Sequence, residues 1–316
     1  MPARSLPLTR ISVVTPSYNQ GRYIERTIRS VLDQGYPDLE YFIFDGGSTD
    51  ESVEVIRRYA DRVTHWQSEK DNGQSDAVNR GWRRATGDII GWLNSDDVYC
   101  PGALNFVQEF FASHPELDVL YGGGELIDEN DRRVTTERVS DFSLERLLEE
   151  HFIPQPSMFF RRRVLDAGLF LDESYRCHMD REFILRMAVA GFRFFRCEPV
   201  LSQSRLQAER KSETLIVSTR EVNCCDREFV RIYEVLCRDA EFRNRYGRSV
   251  ARGILNRCEA RYAQFDPTAV RFLAAQVLRL PYEELHPRAR ILSFNSYLHP
   301  RLLVGLRAAK KALRTS

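Results

Sequence analysis

The sequence predicts an α/β fold: a mostly parallel sheet sandwiched by helices, followed by a helical C-terminal extension. Three observations carry this expectation. Short apolar, β-branched runs alternate with segments of helical spacing. Carboxylates and turn residues collect at the ends of those runs, as expected where buried strands surface. After about residue 205 only helical patterns remain, punctuated by Pro267, Pro281, Pro287 and Pro300.

The elements follow in order. Arg10 to Thr15 is a buried strand ending at Pro16-Ser-Tyr-Asn-Gln-Gly21, and Ile24, Ile28, Val31 and Leu32 repeat at helical spacing. Glu40 to Phe44 is a second strand, closed by Asp45-Gly-Gly-Ser-Thr-Asp50, with a helix after it. Arg62 to Gln67 is a third strand and Gln74 to Ala85 a helix. The fourth strand, Ile89 to Leu93, delivers Asn94-Ser-Asp-Asp97 into a loop, because adjacent carboxylates cannot be desolvated unpaired. A helix from Pro101 follows, then a strand at Asp118 to Tyr121 and a glycine turn at Gly122-Gly-Gly124. Leu144 to Glu150 and Met179 to Ala190 are helical, and Phe194 to Leu201 is a strand. The division expected is a domain over 1–205 and a helical region over 206–316.

The 316 residues carry a formal net charge of +1, unevenly spread. Residues 1–204 hold 24 Lys+Arg against 33 Asp+Glu, and residues 205–316 hold 22 against 12, so the parts carry −9 and +10. The basic part suits an anionic surface; the plainer reading is a solvated helical face in an Arg-rich chain. No apolar run approaches the roughly 20 residues of a membrane span, and Met1 to Arg10 lacks the apolar stretch of a signal peptide. The seven cysteines show no CxxC spacing. A cytoplasmic location is expected, peripheral on the inner membrane face if Arg301 to Arg314 lies on lipid. The alternative for that stretch is packing on its own domain or on a partner.

In a parallel sheet the ends at Pro16–Asn19, Asp45–Asp50 and Asn94–Asp97 share one edge, where open sheets bind ligands. A cleft with Asp45 and Asp96 is too acidic to receive phosphates directly, so a nucleotide diphosphate there calls for a divalent cation. GxGxxG, GxxxxGK[ST], nucleophile-elbow and HExxH patterns are missing, which argues against dinucleotide, P-loop, serine-hydrolase and zinc-protease chemistry.

Taken in order, Thr15-Pro-Ser-Tyr-Asn19, Asp45-Gly-Gly-Ser-Thr-Asp50, Ala77-Val-Asn-Arg-Gly81, Ala85-Thr-Gly-Asp88 and Leu93-Asn-Ser-Asp-Asp97 resemble the inverting family 2 glycosyltransferases of Rossmann-like GT-A fold, over residues 10 to about 205. The resemblance implies a hexosyltransferase of bacterial surface-polysaccharide type with a nucleotide-sugar donor, expected to be UDP-linked. It places Pro16 and Tyr18 beside the base, Asp45 on base or ribose, and Asn94, Asp96 and Asp97 at the diphosphate, with Asp96 the ligand of Mg²⁺ or Mn²⁺. Cys177-His-Met-Asp-Arg-Glu-Phe-Ile-Leu-Arg186 is similar to the acceptor-side segment, which makes Asp180 the general base and Glu182 and Arg186 acceptor-binding residues. Gln155 matches a position near the acceptor, a saccharide or lipid-linked saccharide. Without the resemblance, Asp180 reads as a helix cap.

The chain departs from the family pattern at Gly46 and Asn94, each in place of Asp, at Val78 in place of Arg, and at Gln207 in place of His. These changes remove anionic ligands, a phosphate cation and a possible metal ligand. Lys70 and Arg205 are the candidates to restore positive charge. The departures also motivate a second reading, a noncatalytic carbohydrate- or partner-binding module on the same fold.

Overall fold

A computed structural model describes residues 8–206, 222–264 and 266–297. Two compact units form, one from 1–144 with 152–208 and one from 145–151 with 209–316. The segment 145–151, inside the stretch expected to be one domain, is thus part of the second unit. The expected Arg301–Arg314 helix and Gln207 lie outside the described residues.

The first unit is built on β1 (Ile11–Ser17), β2 (Leu39–Asp45), β3 (His65–Ser68), β4 (Ile89–Trp92), β5 (Val98–Tyr99), β6 (Val119–Ile127), β7 (Arg133–Thr136), β8 (Met158–Arg161) and β9 (Phe194–Arg205). Their order across the sheet is β3-β2-β1-β4-β8-β6-β9-β5, with β7 on β6. β3, β2, β1 and β4 are mutually parallel, β8 is antiparallel to both β4 and β6, and β6 and β9 are parallel. β1 and β4 are buried along their whole length, which explains why they read as continuous rather than alternating apolar runs. Helices α1 (Ile24–Leu32), α2 (Ser52–Arg58), α3 (Gln74–Arg84) and α4 (Ala103–Ser113) cover the sheet; α5 (Leu144–Glu149) falls almost wholly in the second unit, and α6 (Arg163–Asp166) and α7 (Met179–Val189) return to the first. Gly81 lets α3 approach β1, since a Cβ there would overlap the Val14 methyl carbons.

The sheet combines the parallel run β3-β2-β1-β4 with antiparallel pairing of β8 on β4 and β6. One expectation is corrected: Gly122 to Gly124 do not turn the chain but lie inside β6. A Cβ at Gly122 would sit 2.6 Å from Leu201 Cγ, so β9 presses on that strand too closely for a side chain.

The second unit contains α8 (Cys224–Leu236), α9 (Ala240–Ala263), α10 (Pro267–Leu278) and α11 (His286–Asn295). Asn223, Asp239 and Asp266 cap α8, α9 and α10 by accepting from the N–H three residues on. Asp226, fully buried, is held by Arg257 and Arg261, a charge set that burial makes expensive to break. Among the described residues no helix is long and apolar enough to cross a membrane.

Candidate active site

The parallel register brings Ser17 beside Asp45, and Asp45 beside Ser68, on one edge of the sheet. Asp45 is only 3% exposed, and its carboxylate turns back into its own loop. Oδ2 accepts from the N–H groups of Gly47 (3.1 Å) and Ser48 (2.9 Å) and from Ser68 Oγ (2.7 Å), while Oδ1 accepts from Ser48 Oγ (2.5 Å). Asn19, at φ 51°, ties the loop after β1 to this turn: its N–H donates to Ser48 Oγ and its Oδ1 accepts from the Thr49 N–H. Asp50 adds a second tie by accepting from the Gly21 N–H at 2.8 Å. Burial pulls its carboxyl upward, but the Ser52 hydroxyl and the N–H groups of Gly21 and Ser52 together hold it below its usual range. Pro16 is buried in β1, whereas Tyr18 is 55% exposed on this edge. Lys70 is exposed in the loop after β3, its backbone against Gly47.

The loop after β4 is held from both sides. Asp97 is buried; Oδ1 accepts from the Arg205 N–H (3.0 Å), Oδ2 accepts from Asn94 Nδ2 (3.2 Å), and its carbonyl accepts from Thr27 Oγ1 (2.7 Å). Arg205 is fully buried at the end of β9. Its guanidinium donates to the carbonyls of Asp96 (3.1 Å) and Asp128 (2.8 Å), pairs with Asp131, and lies over the Tyr23 ring; burial lowers its pKa. These contacts make Arg205 a clamp on the loop backbone rather than a mobile surface cation. Asp96 itself is half-buried.

On the other side of the loop, Gln155 is buried, and its Nε2 donates to the Trp92 carbonyl (2.7 Å) while its Oε1 accepts from Asn94 Nδ2 (3.1 Å). The start of α3 reaches the same loop through Gln74 Nε2, which donates to Asn94 Oδ1 (2.7 Å). The next residue, Ser75, donates to Met179 Sδ (3.2 Å), so α3 also meets the start of α7. Asn79 completes the join by exchanging hydrogen bonds with the backbone of Leu171. Asp180 follows Met179 at the end of α7 that meets α3. It stands in the first turn of α7, half-buried, with Oδ1 accepting from the Arg181 N–H (2.7 Å); the cap position belongs to His178. Glu182 and Arg186 satisfy each other one turn on, Nε to Oε1 at 2.5 Å and an η nitrogen to Oε2 at 2.9 Å, and Arg186 also donates to the Phe170 carbonyl.

The model of glycosyl transferase family 2 matches residues 12–183, more than half of the chain. The chain belongs to glycosyl transferase family 2. It is a glycosyltransferase of GT-A-like fold. An uncharacterized glycosyltransferase of Mycobacterium tuberculosis is 32% identical over 196 residues, covering 60% of this chain and 71% of the relative. The putative teichuronic acid biosynthesis glycosyltransferase TuaG of Bacillus subtilis is 38% identical over 103 residues, 32% of this chain and 41% of TuaG. Among solved structures, S. aureus TarS 1-349 in complex with UDP-GlcNAc superposes with a TM-score of 0.69 at 18% identity, over 91% of this chain and 89% of that one. The mannosyltransferase PcManGT of Pyrobaculum calidifontis, in complex with GDP-Man and Mn2+, gives 0.56 at 18% identity, over 90% and 85%. Both likenesses concern the fold.

Within this family 2 chain, two departures from the expected motifs have visible reasons. Val78 is fully buried in α3, so a cation at that position would face the core. At Gly46 the space is already taken: a Cβ there would fall 2.8 Å from Asp71 Oδ2. Asp71 Oδ1 also accepts from the Gly73 N–H (2.8 Å). The Asn94–Asp97 turn is rich in oxygen donors of the kind that hard divalent cations take, and within it Asn94 and Asp97 are engaged in internal hydrogen bonds.

Proposed function

We propose that this glycosyltransferase moves a sugar from a nucleotide-sugar donor, UDP-linked in the first instance, to a hydroxyl of a saccharide or lipid-linked saccharide in cell-surface polysaccharide synthesis, with inversion. The observation that supports this reading is that the start of α3 joins the Asn94–Asp97 loop, through Gln74, to the start of α7, through Ser75, in the sheet whose β2 ends at Asp45. The Asp45–Asp50 turn, with Pro16 and Tyr18, cradles the base and ribose, and Lys70 adds positive charge beside the phosphates. Asp96 holds Mg²⁺ or Mn²⁺, which would neutralise the leaving diphosphate when bound. Asp180 takes the proton of the acceptor hydroxyl as that oxygen attacks the anomeric carbon. Gln155 and the Glu182–Arg186 pair shape the acceptor side, the pair by fixing the Phe170 backbone rather than by offering charge. The names of TuaG, a putative teichuronic acid enzyme, and of TarS, solved with UDP-GlcNAc, support this direction.

A panel of UDP- and GDP-sugars, each with and without Mn²⁺ or Mg²⁺, tests the proposal. Cation-dependent release of nucleotide diphosphate from at least one donor is expected. Indifference to every donor and to every nucleotide diphosphate would sink it and favour the noncatalytic module.

The reading includes contact with the cytoplasmic membrane face. α11 buries Ala289 and Leu292 but leaves Ile291 and Phe294 at 53 and 69% exposed, Tyr297 two residues past its end is 72% exposed, and the helix carries Arg290 and Arg288, the latter paired with Glu259. An apolar stripe flanked by cations matches an interfacial helix on anionic lipid. Cosedimentation with vesicles containing anionic lipid is expected for the intact chain and reduced at least about threefold by Ile291→Ser with Phe294→Ser, as lost apolar insertion requires. Equal binding by the two proteins would remove this part of the reading.

A further inference from the structure

Asn94 stands where the family pattern has the first carboxylate of its acidic metal motif, and its surroundings explain the exchange. Its orientation is set by groups whose polarity is not in doubt. The indole N–H of Trp92 can only donate, and it points at Oδ1 from 2.9 Å. The carboxylate of Asp97 accepts from Nδ2 at 3.2 Å. Gln155 is oriented in the same way, because its Nε2 donates to the Trp92 carbonyl, an obligatory acceptor, leaving Oε1 toward Asn94 Nδ2 at 3.1 Å. Gln74 Nε2 supplies the fourth contact, to Asn94 Oδ1 at 2.7 Å. The amide of Asn94 thus makes two accepted and two donated hydrogen bonds, its full ordinary complement.

We infer that Asn94 is a positioning residue that couples the cation loop to the acceptor side, and that the family's Asp at this position would damage the site rather than restore a ligand. This rests on the reading of Asp96 as the cation's carboxylate. Through its four contacts Asn94 joins the end of β4, the start of α3, the Asp96–Asp97 turn and the 3₁₀ turn at Gln155. An aspartate would keep the contacts from Trp92 and Gln74. It would have no hydrogen to offer Asp97 or Gln155, and would set a second negative charge against the Asp97 carboxylate in a half-buried site. Both lost donors face buried acceptors, the costly kind of loss. Small displacements of a reacting constellation are expensive, so the coupling bears on the site as well as on stability.

The test uses the full chain as wild type, Asn94→Asp, and Asn94→Asp combined with Asp97→Asn. The swap restores a hydrogen bond between 94 and 97 with its polarity reversed and leaves the net charge unchanged. Each protein is melted without metal or nucleotide and then titrated calorimetrically, well below its melting temperature, with UDP in the presence of Mn²⁺. The expected result is a lower melting temperature and UDP–Mn²⁺ affinity weakened about tenfold or more in Asn94→Asp, with the swap recovering a substantial part of both losses. The affinity and its recovery separate positioning from a general loss of stability. UDP–Mn²⁺ bound as tightly or more tightly by Asn94→Asp than by wild type, or an unchanged melting temperature, would overturn the inference. A wild-type chain that binds no UDP with Mn²⁺ would instead count against the donor and cation reading, while the metal-free melts still decide whether the amide is required.

Discussion

Asp96→Ala is expected to abolish cation-dependent nucleotide binding and to lower turnover by about 10²- to 10³-fold, the several kcal/mol that a bound cation supplies to a departing diphosphate. The melting temperature should stay close to wild type, because the Asp96 carbonyl, which accepts from Arg205 Nε, survives the substitution. Steady-state rates across a Mn²⁺ titration and a metal-free melt measure the two effects separately. Mn²⁺-dependent turnover at wild-type level in Asp96→Ala would show that the cation is held elsewhere. The prediction is sharp because the neighbours cannot take over: Asp97 is buried between Arg205 and Asn94, and the oxygen of Asn94 already serves Trp92 and Gln74.

The second large effect is expected at Asp180. Asp180→Asn should reduce transfer by about 10²- to 10⁴-fold, the usual contribution of a positioned general base, while binding of the nucleotide with its cation is unchanged. Asparagine keeps a carbonyl oxygen able to accept from the Arg181 N–H, so the first turn of α7 has no reason to fray. Rapid-quench measurement of a single turnover, alongside calorimetry with UDP, reads chemistry and binding apart. A single-turnover rate within a few-fold of wild type would retire the assignment. Glu182 would be a poor successor, since both of its carboxylate oxygens are taken by Arg186.

Both predictions concern residues that stood out in the sequence, and what could be read there was local. The strands of β1, β2 and β4 announced themselves by continuous apolar runs, and their ends by Asp, Gly, Asn and Ser. The spacing of the helices α1, α3 and α7 was legible for the same reason, since burial of one face repeats within a few residues. The ordered motifs from Thr15 to Asp97 sufficed to place the chain in its family. By contrast, Gly122 to Gly124 read as a turn because glycine permits both a bend and a close approach; only the neighbouring strand β9 tells which applies.

The roles inside the site were of that second kind. Asn94 looked like a lost ligand until Gln155, 61 residues away, was seen to take its N–H. Arg205 was a candidate surface cation, yet the fold draws its backbone to Asp97 across 108 residues and buries its side chain. Asp71 meets Gly46, and Glu182 finds Arg186, through packing that no motif records. Family, strand ends and the residue types on offer were legible along the chain, because these depend on neighbours within a turn or a strand. How the amide of Asn94, the carboxylates of Asp97 and Glu182 and the guanidinium of Arg205 are engaged follows from the tertiary structure, because hydrogen-bond capacity is finite and topology chooses the partners that consume it.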